Sequence, residues 1–358
     1  KYAKIKLMNK IINSNLLLNI GIISLLKKLW NHISKRRKKQ FILLFLLMLL
    51  SAATEVVSLG MIFPFLGVLT NPDQILSYSL VNEFASKFRI TEPNELLLPI
   101  TLIFIFISIF SGFVRFILLW SSTRLSNATA VDLSVDIFKK TLYQSYEIHI
   151  SRNSSEILSG ITLKTGSVVS FILFQCLTII TAFIVISSII AVIFIINPLA
   201  TTVSLVGLAG CYGAISIWIA KKLKKNGRYI AEEQTNVIKS IQEGLGAIRD
   251  ILINGTQQMY VKLYYKSESK LRHSMGSNNI IGGSPRFFIE MVAIIIFVIL
   301  SYILSNMPGG IAQFIPILGA IALGTQKVLP MMQQAYSSWA KMTGNTPLLR
   351  DAMKLLDQ

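Results

Sequence analysis

Acidic residues, histidines and cysteines are all scarce in this chain. Its 358 residues hold 17 Asp and Glu against 35 Lys and Arg, with only three His and two Cys. His32, His149 and His273 are isolated and lack metal-ligand spacing, so no metal site is expected. Cys176 and Cys211 both fall inside apolar runs, which argues against a disulfide framework. Carboxylates and histidines are too scattered to suggest a general acid-base pair, and no serine has a recognisable activating partner, so no catalytic residue is assigned. Charged residues make up only 15% of the chain and hydrophobic ones 53%. Such a balance, with apolar runs longer than the ~20 residues that cross hydrocarbon, excludes an ordinary soluble domain.

What is present is a set of six apolar spans, roughly Phe41 to Leu69, Leu96 to Trp120, Val168 to Ile196, Leu199 to Ala220, Phe287 to Leu304 and Ile311 to Leu329. Of the 35 basic residues, all but Lys87 and Arg89 fall on one side of these spans. Basic loops stay in the cytosol. The pattern therefore predicts an all-α, multi-pass membrane protein with both termini cytosolic. The formal charge of +18 does not point to nucleic acid, because the basic residues sit beside apolar spans, where anionic lipid heads meet them.

Residues 1–40 read as a basic cytosolic segment, 41–340 as the six-span domain and 341–358 as a linker. Within the first segment, Leu25, Leu26, Leu29, Trp30 and Ile33 share a helical face, which predicts an elbow helix in the membrane interface. The run Lys35 to Lys39 anchors the inner surface. After the second span a stripe at Leu125, Ala128, Val131, Val135, Phe138, Leu142 and Tyr146 keeps helical spacing among polar residues. A similar stripe follows the fourth span, at Ile230, Val237, Ile241, Leu245, Ile248 and Leu252. Both predict helices projecting well past the bilayer, turning near 146–155 and near Asn254-Gly255. Glu232, Glu233 and Glu268 read as solvated faces of these stalks. The one sizeable outer connection, Thr70 to Glu95, carries Leu76, Leu80, Phe84 and Phe88 at a spacing of four, which predicts a short amphipathic helix.

Four charges lie within the spans or at their ends, where an unpaired central charge costs about 2.5 to 3.5 kcal/mol. Arg115 lies roughly 28 Å below the outer end of its span and Lys327 roughly 24 Å below its own, so both are expected in the inner part of the membrane. There they form a basic patch for a phosphate-bearing head group, the other reading being that they snorkel to the inner head groups. Glu290 lies about 5 Å past the inner end of its span, at a depth that lets it neutralise one of them. Glu55, about 21 Å up from the inner face, is expected to be too far outward to pair with Arg115 and to bond a Ser or Thr instead.

Local stretches then sharpen the picture. ATEVVSLGMIFPFL at 53–66, SGFVRFILL at 111–119, SSEILSGIT at 154–162, SPRFFIEMVA at 284–293 and QKVLPMMQQAYSSW at 326–339 resemble the transmembrane domain of type I ATP-binding cassette exporters. Within that family they look like the bacterial lipid-linked oligosaccharide flippase branch. The resemblance implies a type I exporter transmembrane fold, a domain-swapped homodimer, a place in the bacterial inner membrane, and ATP-driven alternating access that moves a lipid-linked oligosaccharide or related amphiphile outward. Peptide or other lipid is the competing cargo. It also implies coupling segments that dock on an ATPase domain, here Tyr143 to Arg152, with Tyr146, Glu147, His149 and Arg152, and Ala247 to Gln257, with Arg249, Asp250 and Asn254. Arg115 matches a cavity arginine of the flippases, Lys327 falls where they carry another, and Gln334 stands where a further arginine is expected.

The chain has no GxxxxGK[ST] stretch, whose backbone and lysine would cradle nucleotide phosphates, so no cofactor is assigned to it. ATP and Mg2+ are expected on a nucleotide-binding partner. Because the chain opens on Lys1 and stops near where a fused ATPase domain would begin, a truncated half-transporter is expected, with a separate ATPase polypeptide as the other arrangement. Whether this protein takes part in enzymatic ATP hydrolysis depends on that partner. A different class also fits six spans, an ion-coupled secondary transporter or a membrane scaffold, but a secondary transporter favours broken helices with polar sites at the midplane.

Overall fold

The computed structural model describes residues 21–70, 97–151, 154–196, 198–305 and 311–357, and among these every regular element is helical. In chain order they are α1 (Ile22–His32), α2 (Lys35–Gly60), α3 (Ile62–Thr70), α4 (Leu97–Leu142), α5 (Tyr146–Ser151), α6 (Ser154–Ser159), α7 (Thr165–Val168), α8 (Phe174–Ile196), α9 (Pro198–Gly246), α10 (Ile248–Asn254), α11 (Gln257–Gly283), α12 (Pro285–Ser305) and α13 (Ile311–Leu356). The expected helix between Thr70 and Glu95 lies outside the described residues.

Each predicted apolar span falls within this set. Four helical segments are long and apolar enough, among the described residues, to cross a membrane on length and composition, namely Lys35–Leu69, Leu97–Leu142, Gly166–Ile195 and Gln257–Ile299. The fourth and sixth spans are the first parts of α9 and α13. The helices α4, α9 and α13 have 46, 49 and 46 residues, which at 1.5 Å each makes rods of about 70 Å, over twice the ~30 Å hydrocarbon core. The stalks inferred from the apolar stripes are therefore continuations of the spanning helices.

The spans are apolar on the outside. On α2, Ile42, Leu43, Leu46 and Leu50 are exposed while Ser51, Thr54, Glu55 and Ser58 are buried, and on α4 Phe106, Ile109, Phe113 and Phe116 face outward opposite buried Ser111. Lipid is as good a solvent for Leu as another helix, so the inward face is free to take small and polar residues that bond across helices. Helix α2 packs along α4, α8 along α13, and α9 along both α11 and α13. The start of α2 is set by Ser34, whose hydroxyl accepts from the Arg37 N–H at 3.4 Å.

The elbow helix packs on the protein as well. Leu25, Leu29 and Ile33 turn into the protein and pack with Leu349, Met353 and Leu356 at the end of α13. His32 Nε2 lies 3.0 Å from Asp357 Oδ1. The apolar stripe that suits an interface is satisfied equally by a neighbouring helix, and helical periodicity does not tell the two apart.

Two stretches of π-helix, Gly160–Lys164 and Val169–Leu173, interrupt the run from α6 to α8. The wider turn leaves the Ser170 carbonyl to the Gln175 side chain, which donates to it at 3.0 Å and accepts from Ser338 on α13 at 2.9 Å. Lys164, 5% exposed, meets Asp351 of α13 at 2.8 Å. Further along the stalks α9 and α13 cross at Gly227 and Gly344, where a Cβ on Gly227 would sit 2.1 Å from the Gly344 carbonyl oxygen. The α9–α11 turn is the one foreseen at Asn254-Gly255. Gly255 adopts φ 65° and its N–H bonds the Ile251 carbonyl, a left-handed cap that closes α10.

Glu233 is not a solvated stalk residue. It is buried and receives Lys270 Nζ of α11 at 2.6 Å and Asn236 Nδ2 at 3.0 Å. Burial pushes its carboxyl upward, but the bonds from Asn236 and Lys270 and the lysine charge outweigh that and hold it below the ordinary value.

Candidate functional site

Three of the four intramembrane charges meet at one level. Glu55 of α2, with its side chain 6% exposed, takes Lys327 Nζ of α13 at 3.0 Å and Arg115 Nη1 of α4 at 3.8 Å, both on Oε1. Its other oxygen accepts from Ser111 Oγ at 2.9 Å. Lys327 also reaches Ser58 Oγ at 3.4 Å. The expected Ser or Thr bond to Glu55 is thus present, but the expectation that Glu55 lies too far out for Arg115 is wrong.

The error lies in where the second span ends. At the basic end of the molecule Arg37 on α2 grips Asp132 on α4, through Nε at 2.8 Å and Nη2 at 3.3 Å. From that pair to the Glu55–Ser111 bond is about 27 Å along α2 and about 32 Å along α4, one antiparallel register throughout. The level of Arg37 therefore matches Asp132, well past Trp120, where the second span is expected to end. Arg115 consequently lies at the level of Glu55, which is about 21 Å along α2 from Phe41. Side-chain direction closes the remaining gap. Cβ atoms tilt toward a helix's N-terminus, so on antiparallel α2 and α4 the two side chains lean toward each other. Lys327 is corrected in the same way, since its partner fixes its level to that of Glu55.

Glu290 does not neutralise either cation. It accepts from Arg286 Nε at 2.6 Å, one turn back on α12. An i,i+4 partner on the same helix wins because it is always within reach.

Two cavities flank this cluster. The smaller, of about 300 Å³, is lined by Ser51, Glu55, Arg115, Ser122, Thr181 and Gln334 among others. The larger, of about 730 Å³, lies among α9, α12 and α13 and is lined by Tyr212, Arg286, Glu290, Thr325, Gln326 and Gln334 together with apolar residues. Gln334 belongs to both. Arg115 and Gln334 therefore converge on the smaller cavity, whereas Lys327, two turns from Gln334 on α13, lines neither cavity and reaches Glu55 instead. Arg115 is 47% exposed, and its 3.8 Å approach to Glu55 exceeds a hydrogen bond. Most of its five N–H donors are left for the cavity.

The two segments expected to couple to an ATPase contain short helices set off from the long ones. In the first, Tyr143, Tyr146 and Ile150 are exposed, and in the second, Ile248, Leu252 and Ile253. Tyr146, Glu147 and His149 lie on α5, and Arg249, Asp250 and Asn254 on α10. Arg152 lies outside the described residues. Missed from sequence were Ser58 and Ser111, whose only signal was a polar side chain one or two turns from a charge on an apolar helix.

Comparison with known proteins places this arrangement. The family model described as ABC transporter transmembrane region matches residues 41–322. Among solved structures, a bacterial Atm1-family ABC exporter with ATP bound superposes with a TM-score of 0.64 at 11% identity, over 90% of this chain and 54% of that one. The chain thus spans about half of that exporter's length, and at this identity the likeness is one of fold. No curated protein matches.

Proposed function

Because the chain belongs to the ATP-binding cassette transporter transmembrane family, as an exporter membrane subunit, we propose that it forms the membrane pathway for an anionic amphiphile, a lipid-linked oligosaccharide or related lipid moved outward across a bacterial inner membrane. Both termini and the stalk tips face the cytosol in this reading, and two copies pair around the pathway. ATP is hydrolysed by nucleotide-binding domains, fused or separate, that dock on the coupling segments. The exposed Tyr146 and Ile150 on one tip and Leu252 and Ile253 on the other support docking, since apolar side chains clustered at a cytosolic tip call for a partner.

The observation that carries the reading is Arg115. A guanidinium deep among apolar helices, half exposed to a cavity and only loosely held by a carboxylate, is a group waiting for an anion. The same observation sets a lipid above an uncharged or cationic peptide as cargo. In proteoliposomes holding the chain with its ATPase, a polyprenyl-phosphate-linked glycan should stimulate ATP hydrolysis, and Arg115→Ala should abolish most of that stimulation while the complex still assembles. Unchanged turnover in Arg115→Ala would remove Arg115 from the pathway. A complex that hydrolyses ATP but ignores every anionic lipid would overturn the cargo class.

A further inference from the structure

We propose that the two cavities, which share Gln334, act in each copy as a single head-group site, and that the net charge of one positive in the adjoining cluster of Glu55, Arg115 and Lys327 selects a lipid with one phosphodiester charge beside an uncharged, hydroxyl-rich head. This deepens the exporter reading and rests on it.

The charges around the site sum simply. Lys327 and Arg115 face one carboxylate, Glu55. Arg286 and Glu290, on the wall of the larger cavity, close on each other at 2.6 Å and add nothing. The rest of that wall is uncharged, with Thr325, Gln326 and Gln334 as its polar side chains not already engaged within the protein. Gln333 is occupied, accepting from Tyr212 Oη at 3.2 Å and donating to the Gly282 carbonyl at 3.0 Å. Side-chain amides offer donors and acceptors together, the pairing that a hydroxyl also presents. A sugar or polyol head therefore suits the larger cavity, and an anion suits the smaller one, with Gln334 lining both.

The geometry also limits the anion's charge. A single negative oxygen pair can take the guanidinium of Arg115 at little cost, because Glu55 keeps Lys327 at 3.0 Å and Ser111 at 2.9 Å. A second negative charge would have to take Lys327 as well. That would strand the buried Glu55 carboxylate without a cation, and an uncompensated buried charge is the expensive outcome. Glu55 is thus a selectivity residue that acts through Lys327.

The test uses the purified chain in phosphatidylcholine nanodiscs and measures binding of three probes. These are a hexosyl polyprenyl phosphate with one charge, a hexosyl polyprenyl pyrophosphate with two, and an uncharged hexosyl diacylglycerol. The singly charged lipid should bind tightest. Glu55→Gln raises the site to two positive charges and should shift the ratio toward the pyrophosphate lipid by about tenfold or more. The double variant Glu55→Gln with Lys327→Met returns the site to one positive charge and should restore the original order. Tighter binding of the pyrophosphate lipid by the unaltered protein, or a ratio indifferent to these charge changes, overturns the proposal. Should Glu55→Gln fail to assemble, the unaltered protein and the double variant still decide it. Absence of binding for all three probes would instead defeat the parent reading of an anionic lipid cargo.

Discussion

Replacing Lys327 by Met should destabilise the protein more than replacing Arg115 by Ala, although both remove one cation from the same carboxylate oxygen. At 3.0 Å the Lys327–Glu55 attraction is about 5.5 kcal/mol at an effective dielectric of 20, and at 3.8 Å the Arg115–Glu55 attraction is about 4.4 kcal/mol. Those gross values differ little; exposure separates them. Arg115 is 47% exposed and faces a cavity, so screening reduces its share to about 1 kcal/mol. Among the described residues Lys327 is the only cation within 3.5 Å of the Glu55 carboxylate, which is 6% exposed, and removing it breaks a buried pair. Such a break costs about 3 to 5 kcal/mol, reduced here to about 2 to 4 because Ser111 stays bonded and Arg115 can swing inward. Adding Glu55→Gln to Lys327→Met should recover most of the loss, since no buried charge is then left unpaired. Thermal unfolding of the detergent-solubilised chain reads all four proteins. Equal losses for the two single variants, or a double variant no more stable than Lys327→Met, would refute the reasoning.

At the α9–α13 crossing, Gly227→Ala should cost about 1 to 3 kcal/mol, because the new Cβ meets a backbone carbonyl that cannot rotate away and the helices must part; unfolding scans check it. For the stalk pair, the Glu233 carboxyl lies below its ordinary value of 4.5 when folded, so the protein binds fewer protons folded than unfolded there. The pair's stabilisation is present above that ordinary value and is lost as pH falls through the depressed folded one. Unfolding scans between about pH 6 and pH 3 should show this acid-side loss and its absence in Glu233→Gln. At the stalk tips, Ile150→Asp and Leu252→Asp should leave unfolding within about 0.5 kcal/mol of the unaltered protein, as for other exposed sites, while lowering lipid-stimulated ATP hydrolysis in the assembled transporter.

The spans, stalks and Asn254-Gly255 turn were readable because each is a local property: apolar length, helical periodicity and a left-handed glycine. The helices' mutual register was not. Read alone, the second span stops at Trp120, and it is Arg37 on another helix, gripping Asp132, that sets the register of α4 against α2. An error of about three turns in that one boundary moved Arg115 away from Glu55 and offered Glu290 as its partner. Glu233 was misread for a related reason, since a charge on a polar face becomes buried once a second stalk supplies Lys270. The convergence of Gln334 with Arg115 was equally invisible, because α4 and α13 are brought together by packing across more than 200 residues of chain.

The two π-helical stretches between Gly160 and Leu173 store slack in what is otherwise a stiff rod. Each holds a residue more than an α-helix would fit in the same turn, and letting one such turn relax rotates everything beyond it by about 100° while shifting it only about 1.5 Å. The rod can therefore twist without sliding. Lys164 on Asp351, at the end of the first stretch, and Gln175 on Ser338, just past the second, tether it to α13, the helix that also carries Lys327 and Gln334. A twist of this segment is thereby handed on to the helix that lines both cavities.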